Sequence, residues 1–143
     1  MTQTIYFDTN IILDYLLVKR LYHQEAKSTM KYCMQNSYNL VTSCDIITTI
    51  YYIDSKVDRY KALQNIRMIN KFIKVIDFSN QEVDITCELM LVDSDYNDLE
   101  DTLQYILAKK VSCDVIISND NGFISKEIPL LTSRQFVEKY INE

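Results

Sequence analysis

The stretch IYFDTNIIL, residues 5–13, joins an apolar segment to a helical one through Asp8. The apolar residues before Asp8 predict a buried strand, and those at positions 11–13 predict the start of a helix. The stretch VIISND, residues 115–120, ends in the same way on Asp120. Because parallel sheets bind ligands at the carboxyl ends of their strands, we expect both aspartates in one acidic cavity. A cavity of this kind suits a divalent metal ion.

Segments of strand and helix character alternate along the chain, which favours a parallel sheet covered by helices on both faces. We predict strands at residues 5–8, 40–41, 72–78, 114–118 and 130–132. Ser79 with Glu82 predicts a helix that begins at residue 80, and Ser133 predicts the cap of the last helix. The length of 143 residues is that of one ordinary domain. We therefore predict an α/β fold, a three-layer α/β/α sandwich with a mainly parallel sheet of about five strands, as a single domain over residues 1–143.

Apolar spacing also predicts which helix faces are buried. The helix after Ser79 is expected to bury Val83, Cys87, Met90 and Leu91, and the helix after Asp98 to bury Leu99, Leu103, Ile106 and Leu107. The four cysteines have wide spacings and no neighbouring histidine pair, so we expect reduced, mostly buried thiols. No basic and apolar leader and no membrane-spanning apolar run is recognised, so we expect a soluble, cytoplasmic protein with no membrane association.

The charge distribution is uneven. The formal net charge is −5, which argues against broad binding to phosphate backbones. A basic section nevertheless occupies the middle of the chain, with Lys56, Arg59, Lys61, Arg67, Lys71 and Lys74. Two interpretations remain open: a solvated helix face, or a surface for nucleic acid. The tyrosines at positions 51, 52, 60 and 105 are expected in the core or an interface, although an exposed one can stack on a base.

An acidic cluster, Asp98, Glu100 and Asp101, opens the helix that precedes the Asp120 strand. Helix capping and compensation of the helix dipole explain such a cluster by themselves. Capping accounts for neither Asp8 nor Asp120, because each follows an apolar strand where an unpaired carboxylate is costly. Asp98 and Asp101 are three residues apart and share a helix face, whereas Glu100 is expected to point elsewhere. Convergence of the aspartates predicts a site for Mg²⁺ or Mn²⁺, which take oxygen ligands.

Four segments together resemble a known family. They are YFDTNIILDYL at residues 6–16, TTIYYI at 48–53, DLEDTLQYILA at 98–108 and VIISNDNGF at 115–123. These segments are similar, in the right order, to the signature segments of PIN domains, and above all to the bacterial toxin-type, VapC-like members. The resemblance spans essentially the whole chain. It implies a metal-dependent endoribonuclease that cleaves single-stranded RNA and is the toxin of a toxin–antitoxin pair.

The resemblance also implies residue roles. The catalytic and metal-binding acids would be Asp8, Asp101 and Asp120, with Asp98 as a nearby supporting carboxylate and Mg²⁺ or Mn²⁺ as the cofactor. Hydrogen bonds to acids or water would come from Thr9, Asn10 and Ser118. Implied partners are the RNA substrate, a small antitoxin protein and a second copy of the chain in a homodimer.

Thr49 is the one departure from the family pattern, because members usually carry a further acid at this position. A neutral threonine is a poor metal ligand, and loss of one carboxylate should weaken binding of a second ion most. Asp45 lies about one helical turn before Thr49 and could partly substitute for the missing acid. The alternative function is therefore a catalytically weakened PIN-like domain that acts as an RNA- or protein-binding module.

Overall fold

A five-stranded, all-parallel sheet forms the centre of the protein. In this computed structural model, which describes residues 3–142, the strand order is β3-β2-β1-β4-β5. The strands are β1 (Thr4–Phe7), β2 (Asn39–Ser43), β3 (Lys74–Ile76), β4 (Val115–Ile117) and β5 (Leu130–Leu131). This confirms the predicted α/β fold with a parallel sheet of five strands.

Helices cover both faces of the sheet. They are α1 (Thr9–Leu16), α2 (His23–Gln35), α3 (Ile46–Asp54), α4 (Arg59–Phe72), α5 (Asn80–Val92), α6 (Leu99–Lys110) and α7 (Ser133–Phe136), with a π-helical segment (Val137–Ile141) after α7. One core cluster joins Ile5 and Phe7 of β1 to apolar residues of α1–α4 and α7. The other joins Tyr6 of β1 to α6, because alternate residues of a strand face opposite sides. The layers are therefore helix, sheet and helix.

The strand order places a topological switch beside β1. The chain moves from β1 outward through β2 to β3, and it then returns to add β4 and β5 on the other side of β1. The last residues of the two central strands, Phe7 and Ile117, are register partners. The residues that follow these strands, Asp8 and Ser118, are therefore neighbours at the carboxyl edge of the sheet, where ligands bind in open α/β sheets.

Several local predictions need correction. Phe72 belongs to α4, where its ring packs edge-on against Tyr15 with 6.5 Å between ring centroids, so β3 begins only at Lys74. Thr132 caps α7, because its hydroxyl accepts a hydrogen bond from the Gln135 N–H at 3.1 Å, and Ser133 is already helical. The strands predicted at residues 114–118 and 130–132 are shorter, whereas the helix start at residue 80 is confirmed.

The apolar face predicted for α5 is wrong except at Met90, which packs against the core. Val83 and Leu91 are exposed, and so is Cys87, whereas Glu82 and Thr86 are buried. Glu82 turns inward because its carboxylate accepts hydrogen bonds from the Ser79 N–H at 2.9 Å and from Lys110 Nζ at 3.4 Å. Leu99 of α6 is also exposed, while Leu103, Ile106 and Leu107 are buried as predicted. Among the described residues, no helix has the length and apolarity that a bilayer crossing requires.

Candidate functional site

An acidic cavity of about 260 Å³ opens at the carboxyl edge of the sheet, beside the ends of β1 and β4. Four segments contribute to it: the start of α1, the middle of α3, the start of α6 and the loop after β4. Its lining residues are Asp8, Thr9, Asn10, Leu13, Thr49, Ile53, Asp98, Glu100, Asp101 and Asp120. The structure thus brings together Asp8, Asp101 and Asp120, which the sequence placed on separate elements.

Asp8 is buried at the floor of this acidic cavity, with 3% of its surface exposed. Its Oδ1 accepts a hydrogen bond from the Thr9 N–H at 2.6 Å, and its Oδ2 accepts one from the Ser118 hydroxyl at 2.7 Å. Burial raises the pKa of the Asp8 carboxyl, while the Ser118 hydrogen bond opposes that rise. Asp8 is also the N-cap of α1, so the expectation that capping plays no part at this position is wrong.

Ser118 connects Asp8 to Asp120. While its hydroxyl donates to Asp8, the Ser118 oxygen accepts a hydrogen bond from the Asp120 N–H at 3.1 Å. The Asp120 Oδ1 in turn accepts from the Gly122 N–H at 2.9 Å, which fixes the carboxylate in a tight turn. One buried hydroxyl therefore holds the two strand-end acids in a defined relation to each other.

Asp98 and Asp101 reach the cavity from the start of α6. Asp98 is the N-cap, and its Oδ1 accepts a hydrogen bond from the Asp101 N–H at 2.9 Å. Partial burial and the charges of Asp8, Asp120 and Asp98 together raise the pKa of Asp101 to about 8. Asp101 therefore carries a proton more readily than an ordinary aspartate, unless a cation offsets the surrounding negative charge.

Glu100 is a cavity residue that the sequence interpretation missed. The expectation that it points away from Asp98 and Asp101 is wrong, because its side chain lines the same cavity. Partial burial raises the pKa of Glu100, and so do the charges of Asp45, Asp8 and Asp98. Helical side chains lean toward the N-terminus of their helix, so acids on adjacent faces of a first turn can all reach beyond its end. The direction of first-turn side chains could therefore have indicated, from the sequence, that Glu100 reaches the cavity.

Asp45 does not line the cavity, although the charge of its carboxylate contributes to the raised pKa of Glu100. It precedes α3 and accepts a short hydrogen bond from the Ser43 hydroxyl. Thr49 does line the cavity, so a neutral side chain occupies the wall formed by α3. Of Asp45 and Glu100, only Glu100 lines the same cavity as Thr49.

Thr9 and Asn10 both line the cavity, but neither side chain makes the hydrogen bond expected of it. Asp8 is held by the backbone N–H of Thr9, and the buried Thr9 hydroxyl has no hydrogen-bond partner among residues 3–142. No side-chain hydrogen bond of Asn10 to a cavity acid is found within the same residues. Both polar groups remain free to contact a ligand or water in the cavity.

The donor set of the cavity has the chemistry that Mg²⁺ or Mn²⁺ requires, since carboxylate oxygens are their preferred protein ligands. Within residues 3–142, however, no three carboxylate, imidazole or thiol groups are arranged to hold a metal ion as they stand. Asp101 and Asp120 are only partly buried, so their carboxylates are accessible from the cavity. The acids fit the ion by type and by location.

A buried hydrogen-bond network braces the cavity from behind. Asn119, which precedes Asp120, donates from Nδ2 to the buried Asp14 carboxylate at 2.9 Å and accepts from the Ser133 N–H at 2.9 Å. Arg20 Nε donates to the other Asp14 oxygen at 2.6 Å. The loop that carries Asp120 is thereby tied to α1, to the segment after α1 and to α7.

Comparisons with known proteins agree with this geometry. The family described as "PIN domain" matches residues 4–122, a range that includes every acid of the cavity. The chain belongs to the PIN-domain family. Ribonucleases of this family generally depend on a divalent metal. One curated relative, "Ribonuclease VapC1" of Aquifex aeolicus (strain VF5), is 40% identical over 139 residues, which are 97% of this chain and 96% of the relative.

Three solved structures share the fold at low sequence identity. The VapBC2 complex of Rickettsia felis, bound to a DNA fragment from its promoter, aligns with a TM-score of 0.70 at 15% identity over 90% of this chain and 97% of that one. VapC20 of Mycobacterium tuberculosis, a Sarcin-Ricin loop cleaving toxin, aligns with a TM-score of 0.67 at 15% identity over 83% of this chain and 92% of that one. A toxin–antitoxin complex from Klebsiella pneumoniae aligns with a TM-score of 0.67 at 19% identity over 90% of this chain and 97% of that one.

Proposed function

We propose that this PIN protein is a Mg²⁺- or Mn²⁺-dependent endoribonuclease that cleaves single-stranded RNA. The observation that carries the proposal is the convergence of Asp8, Asp101 and Asp120 in one cavity beside the central strands. Acids at this place have no evident structural purpose that requires all three together, and like charges in one cavity destabilise it. The 40% identity to Ribonuclease VapC1 supports the same activity.

In this proposal Asp8, Asp101 and Asp120 hold the metal, with Asp98 and Glu100 as further carboxylates at the rim. Bound Mg²⁺ or Mn²⁺ would orient the phosphodiester, lower the pKa of the attacking water and stabilise the leaving oxygen. Ser118 keeps the Asp8 carboxylate in place, so that one ligand is preorganised in the buried floor. Asp101 must give up its proton before both of its oxygens can act as ligands.

The proposed physiological role is that of the toxin in a toxin–antitoxin pair, active in the cytoplasm. Two of the structurally similar proteins are described as toxin–antitoxin complexes, which supports a small antitoxin as partner. A homodimer is proposed on the family resemblance. Size-exclusion chromatography with light scattering tests the dimer, and a monomer mass at every concentration would count against it.

A metal-dependent cleavage assay tests the ribonuclease proposal. Single-stranded RNA is incubated with the protein and Mn²⁺, with EDTA as the metal-free reference. Wild type should cleave only with the metal, and Asp8→Asn should lower the rate by about 100-fold or more, because it removes a buried anionic ligand. Asp84→Asn, a change of the same charge on the exposed part of α5, is the matched control and should cleave like wild type.

A second candidate function is a binding module without catalysis. Two observations favour it: the neutral Thr49 in the cavity wall, and the lack, within residues 3–142, of three acids already arranged to hold an ion. Absence of cleavage by wild type at high Mn²⁺, together with retained RNA binding, would establish this alternative. Cleavage that depends on Asp8 would eliminate it.

A further inference from the structure

A surface rich in tyrosine and cations adjoins the acidic cavity where α3 passes into α4. We name it the turn surface and define it by Tyr52, Lys56, Arg59 and Tyr60. Tyr52 is 66% exposed and Tyr60 is 73% exposed, so neither ring contributes much to the core. The Lys56 ammonium lies 4.3 Å from the centroid of the Tyr52 ring. Exposed rings beside cations can stack on bases while the cations contact phosphates.

The section that contains the turn surface has an unusual charge. Residues 46–74 carry six cations and two acids, a net charge of +4, so the remainder of the chain carries −9. None of these six cations forms an ion pair within residues 3–142, whereas five of the nine cations elsewhere do: Arg20, Lys109, Lys110, Lys126 and Arg134. Their charge is therefore available to an anionic partner rather than spent on surface ion pairs.

The turn surface is continuous with the acidic cavity. Thr49 and Ile53 of α3 line the cavity, while Tyr52 stands three residues after Thr49. Thr49, Tyr52 and Ile53 share one face of α3, and at about 1.5 Å per residue Tyr52 lies roughly 4.5 Å beyond Thr49 along the helix axis. Lys56 follows in the turn after α3, with its ammonium over the Tyr52 ring. A single RNA strand that leaves the cavity along α3 therefore meets Tyr52 and Lys56 next.

Hydrogen bonds restrain Arg59 and the two helices that carry this surface. Arg59 Nε donates to the Tyr51 hydroxyl at 3.2 Å, and the Asp58 carboxylate caps α4 by accepting from the Lys61 N–H at 3.1 Å. Beneath the surface, the buried Asp54 accepts from Asn65 Nδ2 at 2.9 Å and joins α3 to α4. A preformed surface loses less conformational entropy when a ligand binds.

We infer that the turn surface binds single-stranded RNA on its way into or out of the acidic cavity. This inference rests on the proposed ribonuclease function, for which it supplies the substrate contacts that the cavity lacks. The carboxylates of the cavity repel a phosphate backbone, so affinity for RNA has to come from cations placed next to them. Tyr52 and Tyr60 stack on bases, and Lys56 and Arg59 contact the phosphates between them.

The experiment measures binding rather than cleavage. A fluorescently labelled oligouridine of about twelve nucleotides is titrated with full-length protein in EDTA at several salt concentrations. Tyr52→Leu should weaken binding by about ten-fold, whereas Tyr52→Phe, which keeps the ring, should bind like wild type. Lys56→Gln should reduce the slope of log K against log salt by about 0.7, the value expected for one phosphate contact on a single strand.

The matched control is Lys139→Gln, which removes an exposed cation whose Nζ lies 5.4 Å from the centroid of another tyrosine ring, Tyr140, in the π-helical segment. It should leave both the affinity and the salt slope unchanged. Unchanged RNA binding in Tyr52→Leu and Lys56→Gln, with normal thermal unfolding, would overturn the inference and leave a protein partner as the occupant. Wild type that binds through the turn surface yet never cleaves would support this inference and overturn the ribonuclease proposal.

Discussion

The acidic cavity and the turn surface share helix α3, but their charges are balanced in opposite ways. In the cavity, carboxylates crowd together and are held by hydrogen bonds such as that from Ser118 to Asp8. On the turn surface, cations stand without ion pairs among the described residues. The cavity thus needs a cation and the turn surface needs an anion. An RNA phosphodiester with a divalent ion meets both needs. In this arrangement the cavity supplies the groups for cleavage, and the turn surface supplies most of the affinity for RNA.

The largest expected effect comes from Asp101→Asn. It should lower kcat by about 1000-fold, because it removes a charged ligand from the cavity. The same variant should bind RNA in EDTA at least as tightly as wild type, since an amide adds no negative charge beside the substrate path. Parallel cleavage and binding measurements check both halves. A loss of RNA binding that matches the loss of cleavage would break the division between the two regions.

Ser118→Ala, which also changes the acidic cavity, should have a smaller effect on catalysis. Asp8 loses a hydrogen bond of 2.7 Å and the Asp120 N–H loses its acceptor, so kcat should fall by about 10- to 100-fold with little change in KM. Ser118→Cys keeps a weak donor and should recover part of the rate. Full activity of Ser118→Ala would mean that Asp8 needs no hydroxyl to hold it.

Thr49→Glu tests the wall that the two regions share. An added carboxylate should lower the Mn²⁺ concentration for half-maximal cleavage by about ten-fold, because the ion gains one charged oxygen ligand. Thr49→Gln has the same size without the charge and should show no such gain. Equal metal dependence of both variants would indicate that Glu100 already supplies the charge that α3 lacks.

The smallest expected effect is a pH dependence of stability. The pKa of Asp101 is raised to about 8 and that of Asp8 is also raised, so the metal-free folded protein binds more protons than the unfolded chain above about pH 4. Its free energy of unfolding should therefore fall as pH rises toward 8. Thermal unfolding in EDTA should show this decline, and Mn²⁺ should reverse it. Asp101→Asn should show a shallower decline, and an identical decline would exclude Asp101 as its source.

The fold and most of the cavity acids could be predicted from sequence because their signals are local. Apolar segments that end on Asp8 and Asp120 identify strands and their carboxyl ends, and Ser79 with Glu82 identifies a helix start. Glu100 was assigned to the wrong face, because spacing within a helix does not describe how first-turn side chains reach past its end. The exposure of Val83 and Leu91 likewise depends on Glu82 bonding to Lys110 of another helix.

The sequence by itself determined the alternation of strands and helices, the PIN-type motifs and the presence of a threonine at position 49, where the family usually has an acid. Only the tertiary structure decided which of those residues meet. Pairing of β1 with both β2 and β4 brings residues 110 positions apart, Asp8 and Ser118, into one hydrogen bond. The tertiary structure also places Thr49 and Ile53 of α3 in the cavity wall, with Tyr52 of the turn surface beside them. Periodicity is a property of neighbours along the chain, whereas a site depends on contacts between distant segments.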